Sequence, residues 1–166
     1  MKIIGFSRIA SDVKMVMKGD SSLLVNRKPF FIPDWSEDVR MTPCVVLRVS
    51  RMGKNIAARF ASRYYDAVAL GLNMQAADFV ANNDWTKGWA FDYSLVVGTF
   101  IDPECLDEQN MLMSFDEAIQ RVSEIMTIRQ GDMIFIDCIA NPRKLLQDEV
   151  ICVEKEKVEL LYCKIK

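Results

Sequence analysis

Histidine is absent from all 166 residues, so imidazole cannot act here as base, nucleophile or metal ligand, and every triad that needs it is excluded. A charge excess is missing too. Lys and Arg number 21 and Asp and Glu 23, a formal charge of −2. No stretch stands out as strongly basic, and aromatics do not interleave with cations along a face, so nucleic-acid binding has no electrostatic support. No apolar run approaches the roughly 18 residues that cross a bilayer. The start, Met1 to Phe6, turns polar too soon for a signal peptide. No membrane association and a cytoplasmic location are the expectation.

The cysteines, Cys44, Cys105, Cys138, Cys152 and Cys163, are odd in number and form no C-x-x-C pair. That argues against a disulfide framework and a zinc knuckle, and predicts buried free thiols. No G-x-G-x-x-G follows a strand and no Walker A sequence occurs, so nucleotide binding has no motif behind it. The acidic pairs Asp116/Glu117 and Asp148/Glu149 fit a helix start and a turn better than acid–base work. Surface serines need no Ser–Lys dyad to explain them.

The chain does have an ordinary globular balance, 51% hydrophobic and 27% charged, on a length that suits one domain spanning 1–166. Ile3 to Phe6 is predicted as a strand and Ser11 to Met17 as a short amphipathic helix. Lys28 to Asp34, bracketed by prolines, suits an extended sheet edge. Cys44 to Arg51, Ala67 to Met74 and Leu95 to Ile101 have the composition of strands. Asn55 suits the N-cap of a helix over Ile56 to Tyr65, with Ile56, Phe60 and Tyr64 on its buried face. Ser114 and Glu117 make an S-x-x-E capping box before the apolar stripe Ala118, Ile119, Val122, Ile125 and Met126, and this helix should end before Gly131. Strands are predicted next at Met133 to Cys138, Val150 to Val153 and Val158 to Ile165, the last two forming a hairpin through Lys155-Glu156-Lys157. The ten methionines, among them Met15, Met17, Met111, Met113 and Met126, read as core gap-fillers. The sum is an α+β, mainly β protein.

Several stretches, taken in order, resemble the fumarylacetoacetate hydrolase family: Lys28-Pro29-Phe30-Phe31-Ile32-Pro33-Asp34, Gly53-Lys54-Asn55-Ile56, Arg63 to Val68, Phe91-Asp92 after Trp85, Ser114 to Met126, Gly131 to Phe135, and Lys157 to Lys166. The resemblance runs from Met1 to Lys166. It implies a mixed β-sheet roll with a few short helices, a homodimer, and activity on β-diketo acids or related 2-oxo acids as a hydrolase, isomerase or decarboxylase. It also implies Mg²⁺ or Mn²⁺ held by three carboxylates, a donor set that suits a hard cation polarising chelated carbonyls.

At those points the sequence departs from the family. Thr42 and Cys44 stand in place of two glutamates, and Asn73 in place of an aspartate. Asp78 and Asp92 remain. Trp89 replaces a lysine, Val13 falls at the histidine, and Ile9 and Ala10 replace an N-Y pair. Asp137 to Arg143 replaces a glycine-rich loop, and the lid between Val80 and Trp85 is shortened. Neutral oxygens and a soft sulfur do not suit a hard cation. The expectation is a vestigial site with no negative charge, no cofactor and no catalytic residue. The chain would then be a binding or assembly subunit, paired with itself or with an active paralogue. The alternative is a metal-independent enzyme with Cys44 as nucleophile, helped by Lys87 or Arg40.

Overall fold

The computed structural model describes residues 1–25 and 27–166. Its strands are β1 (Ile3–Ile9), β2 (Asp12–Lys18), β3 (Leu23–Leu24), β4 (Val39–Val49), β5 (Tyr65–Ala76), β6 (Leu95–Val97), β7 (Met133–Asp137), β8 (Arg143–Lys144), β9 (Val150–Lys155) and β10 (Val158–Lys164). The helices are α1 (Ala77–Ala81), α2 (Trp85–Trp89) and α3 (Phe115–Ile125). Seven strands run β2-β1-β7-β4-β5-β6-β3 across one sheet, with β8 added to β4, while β9 and β10 form a separate hairpin. The sheet is mixed: β1–β7 and β3–β6 are parallel, and the remaining pairs are antiparallel. This is the α+β, mainly β architecture expected.

The sheet is buried on both faces, which explains the near-continuous apolar runs of β4, β5 and β7. Alternation sorts their side chains. Val45, Leu47, Val68, Ile134 and Ile136 pack against Ala118, Ile119 and Val122 of α3. On the other face, Cys44, Val46, Ala69 and Phe135 pack with Ile3, Val16 and Trp89. Gly5 lets the Phe135 ring lie flat on β1, because a Cβ there would meet the ring at 1.9 Å.

α3 begins as its sequence signals. Ser114 Oγ accepts from the Glu117 N–H at 3.2 Å. The Glu117 carboxylate pairs forward with Arg121 at 2.6 Å, so only half of the capping box forms. Ser114→Ala is expected to lower stability by about 1 kcal/mol, read as a shift in the urea midpoint; an unchanged midpoint would detach the cap from the fold's stability. Ile125, assigned to the buried stripe, is 65% exposed, since α3 ends there and its last residue leaves the packed face.

Other expectations are corrected. Ser11 to Met17 is strand β2, because Ala10 takes a left-handed conformation and turns the chain directly back along β1. Asn55 caps no α-helix. It is itself left-handed, and α3 captures the backbone on either side of it: Asn55 N–H donates to Ser123 O and Ile56 N–H to Ser123 Oγ. The chain then forms a 3₁₀ segment, Ala58–Arg63, with Phe60 exposed. The Leu95 strand stops at Val97 because Gly98 passes against the Leu160 carbonyl, where a Cβ would fall 2.0 Å away, and Ile101 rejoins β5 only by a bridge to Val68. The stretch between Val80 and Trp85, read as a shortened lid, is the tight turn that joins α1 to α2, with the Asn82 and Asp84 N–H groups donating to Phe79 O. Of the methionines, Met111 and Met113 are buried but Met17 is half-exposed. Cys44 and Cys163 are buried, whereas Cys105 and Cys152 are exposed.

The other predicted strands are present, with β4 beginning before the stretch Cys44 to Arg51 and β5 running beyond Ala67 to Met74 at either end, and the short β3 and β8 are added to them. Phe30 and Ile32 add to the C-terminal end of β10, with Phe30 N–H donating to Lys164 O at 2.9 Å. Glu156 and Lys157 both take left-handed conformations in the β9–β10 turn, the requirement of a two-residue hairpin with the native twist. No helix among the described residues is long and apolar enough to cross a membrane.

Candidate functional site

Thr42 and Asn73 sit directly opposite each other on β4 and β5, and Cys44 lies opposite Gly71 on one side and Asp137 of β7 on the other. Facing partners in antiparallel strands project to the same side. The three positions implied for metal carboxylates therefore do converge on one face, as the resemblance implied. All three are at most 3% exposed.

Two charged residues, neither singled out from the sequence, complete this face. The first is Asp137. Its carboxylate accepts a short hydrogen bond from Ser7 Oγ and two from Asn73 Nδ2, at 3.0 and 3.1 Å. The second is Lys18, the last residue of β2. Its ammonium donates to the carbonyls of Met74 (3.1 Å), Trp89 (2.6 Å) and Ser94 (3.2 Å) and to Ser94 Oγ (2.9 Å). The ammonium also lies 5.6 Å from the Trp89 ring centroid and 5.9 Å from that of Phe135. The expectation of a site without negative charge is thus corrected: one carboxylate is present, with one cation to balance it.

Burial pulls these two groups towards neutrality. It pushes Lys18 down to about 7, opposed by the charge of Asp137. It pushes Asp137 up to about 7, opposed by the hydrogen bonds from Ser7 and Asn73 and by the charge of Lys18. The hydrogen bonds decide between a charged and a neutral pair. Four acceptors surround Lys18 Nζ, and only an ammonium, with three donors and no lone pair, suits them. Asp137 only accepts, which suits a carboxylate. The pair is ionic. Cys44 responds in the opposite sense: burial, then the Asp137 charge, hold its thiol well above its ordinary value, so it is neutral and a weak nucleophile.

The other predicted positions lie apart from this cluster or are occupied otherwise. Trp89 is present, but as a wall: its ring is buried and its carbonyl holds Lys18. Asp78 opens α1 and accepts from Ser36 Oγ at 2.7 Å and Glu37 N–H at 3.1 Å, tying down the loop before β4. Asp92 is exposed. Val13 sits on the exposed β1–β2 hairpin opposite Arg8. The Arg40 guanidinium is committed to Asp38 at 2.7 Å, and the Lys87 ammonium lies over the Phe79 ring at 5.0 Å. Neither is among the groups whose charge acts on Cys44.

These residues do not fit a divalent metal. The buried Asn73 Oδ1 lacks a partner among the described residues, but one neutral amide oxygen, a hydroxyl, a protonated thiol and a single carboxylate already accepting from Ser7 and Asn73 do not replace the water shell of Mg²⁺ or Mn²⁺. Among the described residues, no group of three carboxylate or thiol side chains is placed to hold a metal ion.

No protein-family model matches the chain, and no curated protein matches it either. Solved structures do. A fumarylpyruvate hydrolase from Pseudomonas aeruginosa in complex with Mn²⁺ and pyruvate superposes with a TM-score of 0.86 at 14% identity, over 99% of this chain and 89% of that one. A fumarylacetoacetate hydrolase family protein from Yersinia pestis gives 0.86 at 17% identity, over 99% and 92%. The 2-hydroxyhepta-2,4-diene-1,7-dioate isomerase from Mycobacterium marinum gives 0.85 at 16% identity, over 99% and 73%. The chain has the fumarylacetoacetate hydrolase fold, the mixed roll that its resemblance implied.

Proposed function

We propose that this chain is a non-catalytic binding or assembly subunit on the fumarylacetoacetate hydrolase fold, without a resident metal, working as a homodimer or beside an active relative. One observation carries this reading. The face bearing Thr42, Cys44 and Asn73 is closed over an internal cation, the Lys18 ammonium, held by four oxygens at 2.6–3.2 Å. A tethered ammonium does there what a bound metal ion would do for a carboxylate-lined pocket, which is to supply positive charge to a buried polar cluster. Unlike a metal, it has no open coordination position for a substrate carbonyl. A fold retained without its site is an ordinary outcome, because function resides in the site.

The other reading is a hydrolase, isomerase or decarboxylase of β-diketo or 2-oxo acids with a metal-independent site and Cys44 as nucleophile. Its requirement is an accessible thiolate. Cys44 is 1% exposed with its thiol held protonated, which favours the first reading. Iodoacetamide at neutral pH, with peptide mapping of the labelled sites, separates the two. Cys105 and Cys152, both exposed, should alkylate first and Cys44 last, with no turnover of acylpyruvates or oxaloacetate in parallel assays with Mn²⁺. Rapid alkylation at Cys44, or metal-dependent turnover, would overturn the proposal.

A further inference from the structure

Net charge conceals a local imbalance. From Val39 to Tyr65 the chain carries six cations, Arg40, Arg48, Arg51, Lys54, Arg59 and Arg63, and no carboxylate. The fold disposes of two of them. Arg40 pairs with Asp38 at 2.7 Å and Arg48 with Asp66 at 2.8 Å, each using an acid just outside the stretch. The other four gather around the 3₁₀ segment Ala58–Arg63, and among the described residues none of them makes an ion pair. The acid beside them is Glu124. Lys54 Nζ reaches only its main-chain carbonyl, at 3.0 Å, and its carboxylate accepts from Gln120 instead.

Three of these cations, Arg51, Lys54 and Arg63, wall a cleft of about 330 Å³ together with Phe60 and Tyr64, a volume at the lower end of small-ligand sites. The guanidiniums of Arg59 and Arg63 lie against the same Phe60 ring, 4.8 and 5.2 Å from its centroid. Two like charges four residues apart repel, and the ring offsets only part of that cost. Phe60 itself is 40% exposed. Cations held together without an ion pair, around an open aromatic surface, form the complement of an oxyanion, and arginine forks match oxyanions two oxygens at a time.

We propose that this cleft binds a small multivalent oxyanion, a phosphate ester or a compact polycarboxylate, with any apolar portion of the molecule beside Phe60. The site is on the α3 side of the fold. It stands whether or not the buried face with Lys18 is catalytically dead.

Calorimetry of the intact protein at low salt tests this with inorganic pyrophosphate, citrate and phenyl phosphate as probes. Saturable binding is expected for pyrophosphate or citrate, and the preferred probe identifies the anion class. Affinity should fall at least tenfold in about 0.5 M salt, where screening shortens to a few ångströms. The exposed pair Arg51→Glu/Arg63→Glu should abolish binding, whereas Arg8→Glu/Lys14→Glu, an equal charge change on the exposed β1–β2 hairpin, should leave it within twofold. Phe60→Ala should weaken phenyl phosphate more than pyrophosphate. Three outcomes would overturn the proposal: no binding of any probe at about 5 mM, equal losses in the two reversal pairs, or a single-stranded oligonucleotide that binds through Arg51 and Arg63 without competition from pyrophosphate, which would make the patch a nucleic-acid surface.

Discussion

Lys18→Met should destabilise the protein by up to about 3 kcal/mol near pH 7, because it takes away the cation whose charge acts on the buried Asp137 carboxylate. Met74, Trp89 and Ser94 would at the same time lose the donor that their carbonyls share. The loss should depend on pH in a defined direction. Asp137 is raised to about 7 even beside Lys18, and without the ammonium it rises further. Between about pH 4, where an unfolded aspartate ionises, and that raised value, the folded variant holds a proton which the unfolded chain has released. Folding then takes up a proton, so acidification stabilises the variant. Its deficit against wild type should shrink from pH 8 to pH 5. The double variant Lys18→Met/Asp137→Asn removes both charges and should recover much of the stability at pH 8, since replacing a buried pair costs less than breaking it. Urea midpoints of the three proteins at pH 5 and pH 8 decide the matter. A single variant as stable as wild type at pH 8, or a double variant worse than the single one, would show that the two groups are not energetically coupled.

How far the sequence foretells this arrangement depends on the range of the interactions involved. The α3 cap and the β9–β10 turn rest on residues within a few positions of one another, and both are legible. The helix predicted at Asn55 does not form because the competing partner, Ser123, lies on a different element. β2 is disguised for a similar reason: its side-chain pattern is set by pairing with β1, and Lys18 ends it as an inward-facing residue that local periodicity would place in water. The positions Thr42, Cys44 and Asn73 converge as the resemblance implies. Asp137 is hidden by its place in the resemblance, where it counts as the start of a loop. The available signal is a single acid closing an otherwise apolar strand, Met133 to Ile136, since a charge in that place must be paired or neutralised. Its partner Lys18 is distant in sequence, and no spacing rule reaches that far. The cations of the basic cleft are visible in the sequence as a run without an acid, but only the fold shows that their neighbours Arg40 and Arg48 are neutralised and they are not.

The second large effect concerns metal. Wild-type protein should show no Mn²⁺ binding at about 1 mM, since the one carboxylate on this face, Asp137, is already committed to Ser7 and Asn73 and no further anionic oxygens are supplied to replace the ion's water shell. Thr42→Glu/Cys44→Glu/Asn73→Asp places three carboxylates on adjoining strand positions of one face. It should bind Mn²⁺ only in part, because the Lys18 ammonium already neutralises part of the negative charge that would recruit the ion. Adding Lys18→Met removes that competitor and should tighten binding at least tenfold, a gain of about 1.4 kcal/mol. Both variants should be strongly destabilised without metal, since the new carboxylates repel one another and Asp137. Saturating Mn²⁺ should raise their melting temperatures, with about 2.7 kcal/mol returned at a hundredfold excess over Kd. Activity should not return, because Trp89 fills the place of the family's lysine and its carbonyl, at 2.6 Å from Lys18 Nζ, is an acceptor rather than a cationic donor. Calorimetry and melting curves with and without Mn²⁺ suffice to test this. Tight binding by the wild type would overturn the reading of a vestigial site. A four-site variant that folds but ignores Mn²⁺ would show that these strand positions are not where a metal could be held.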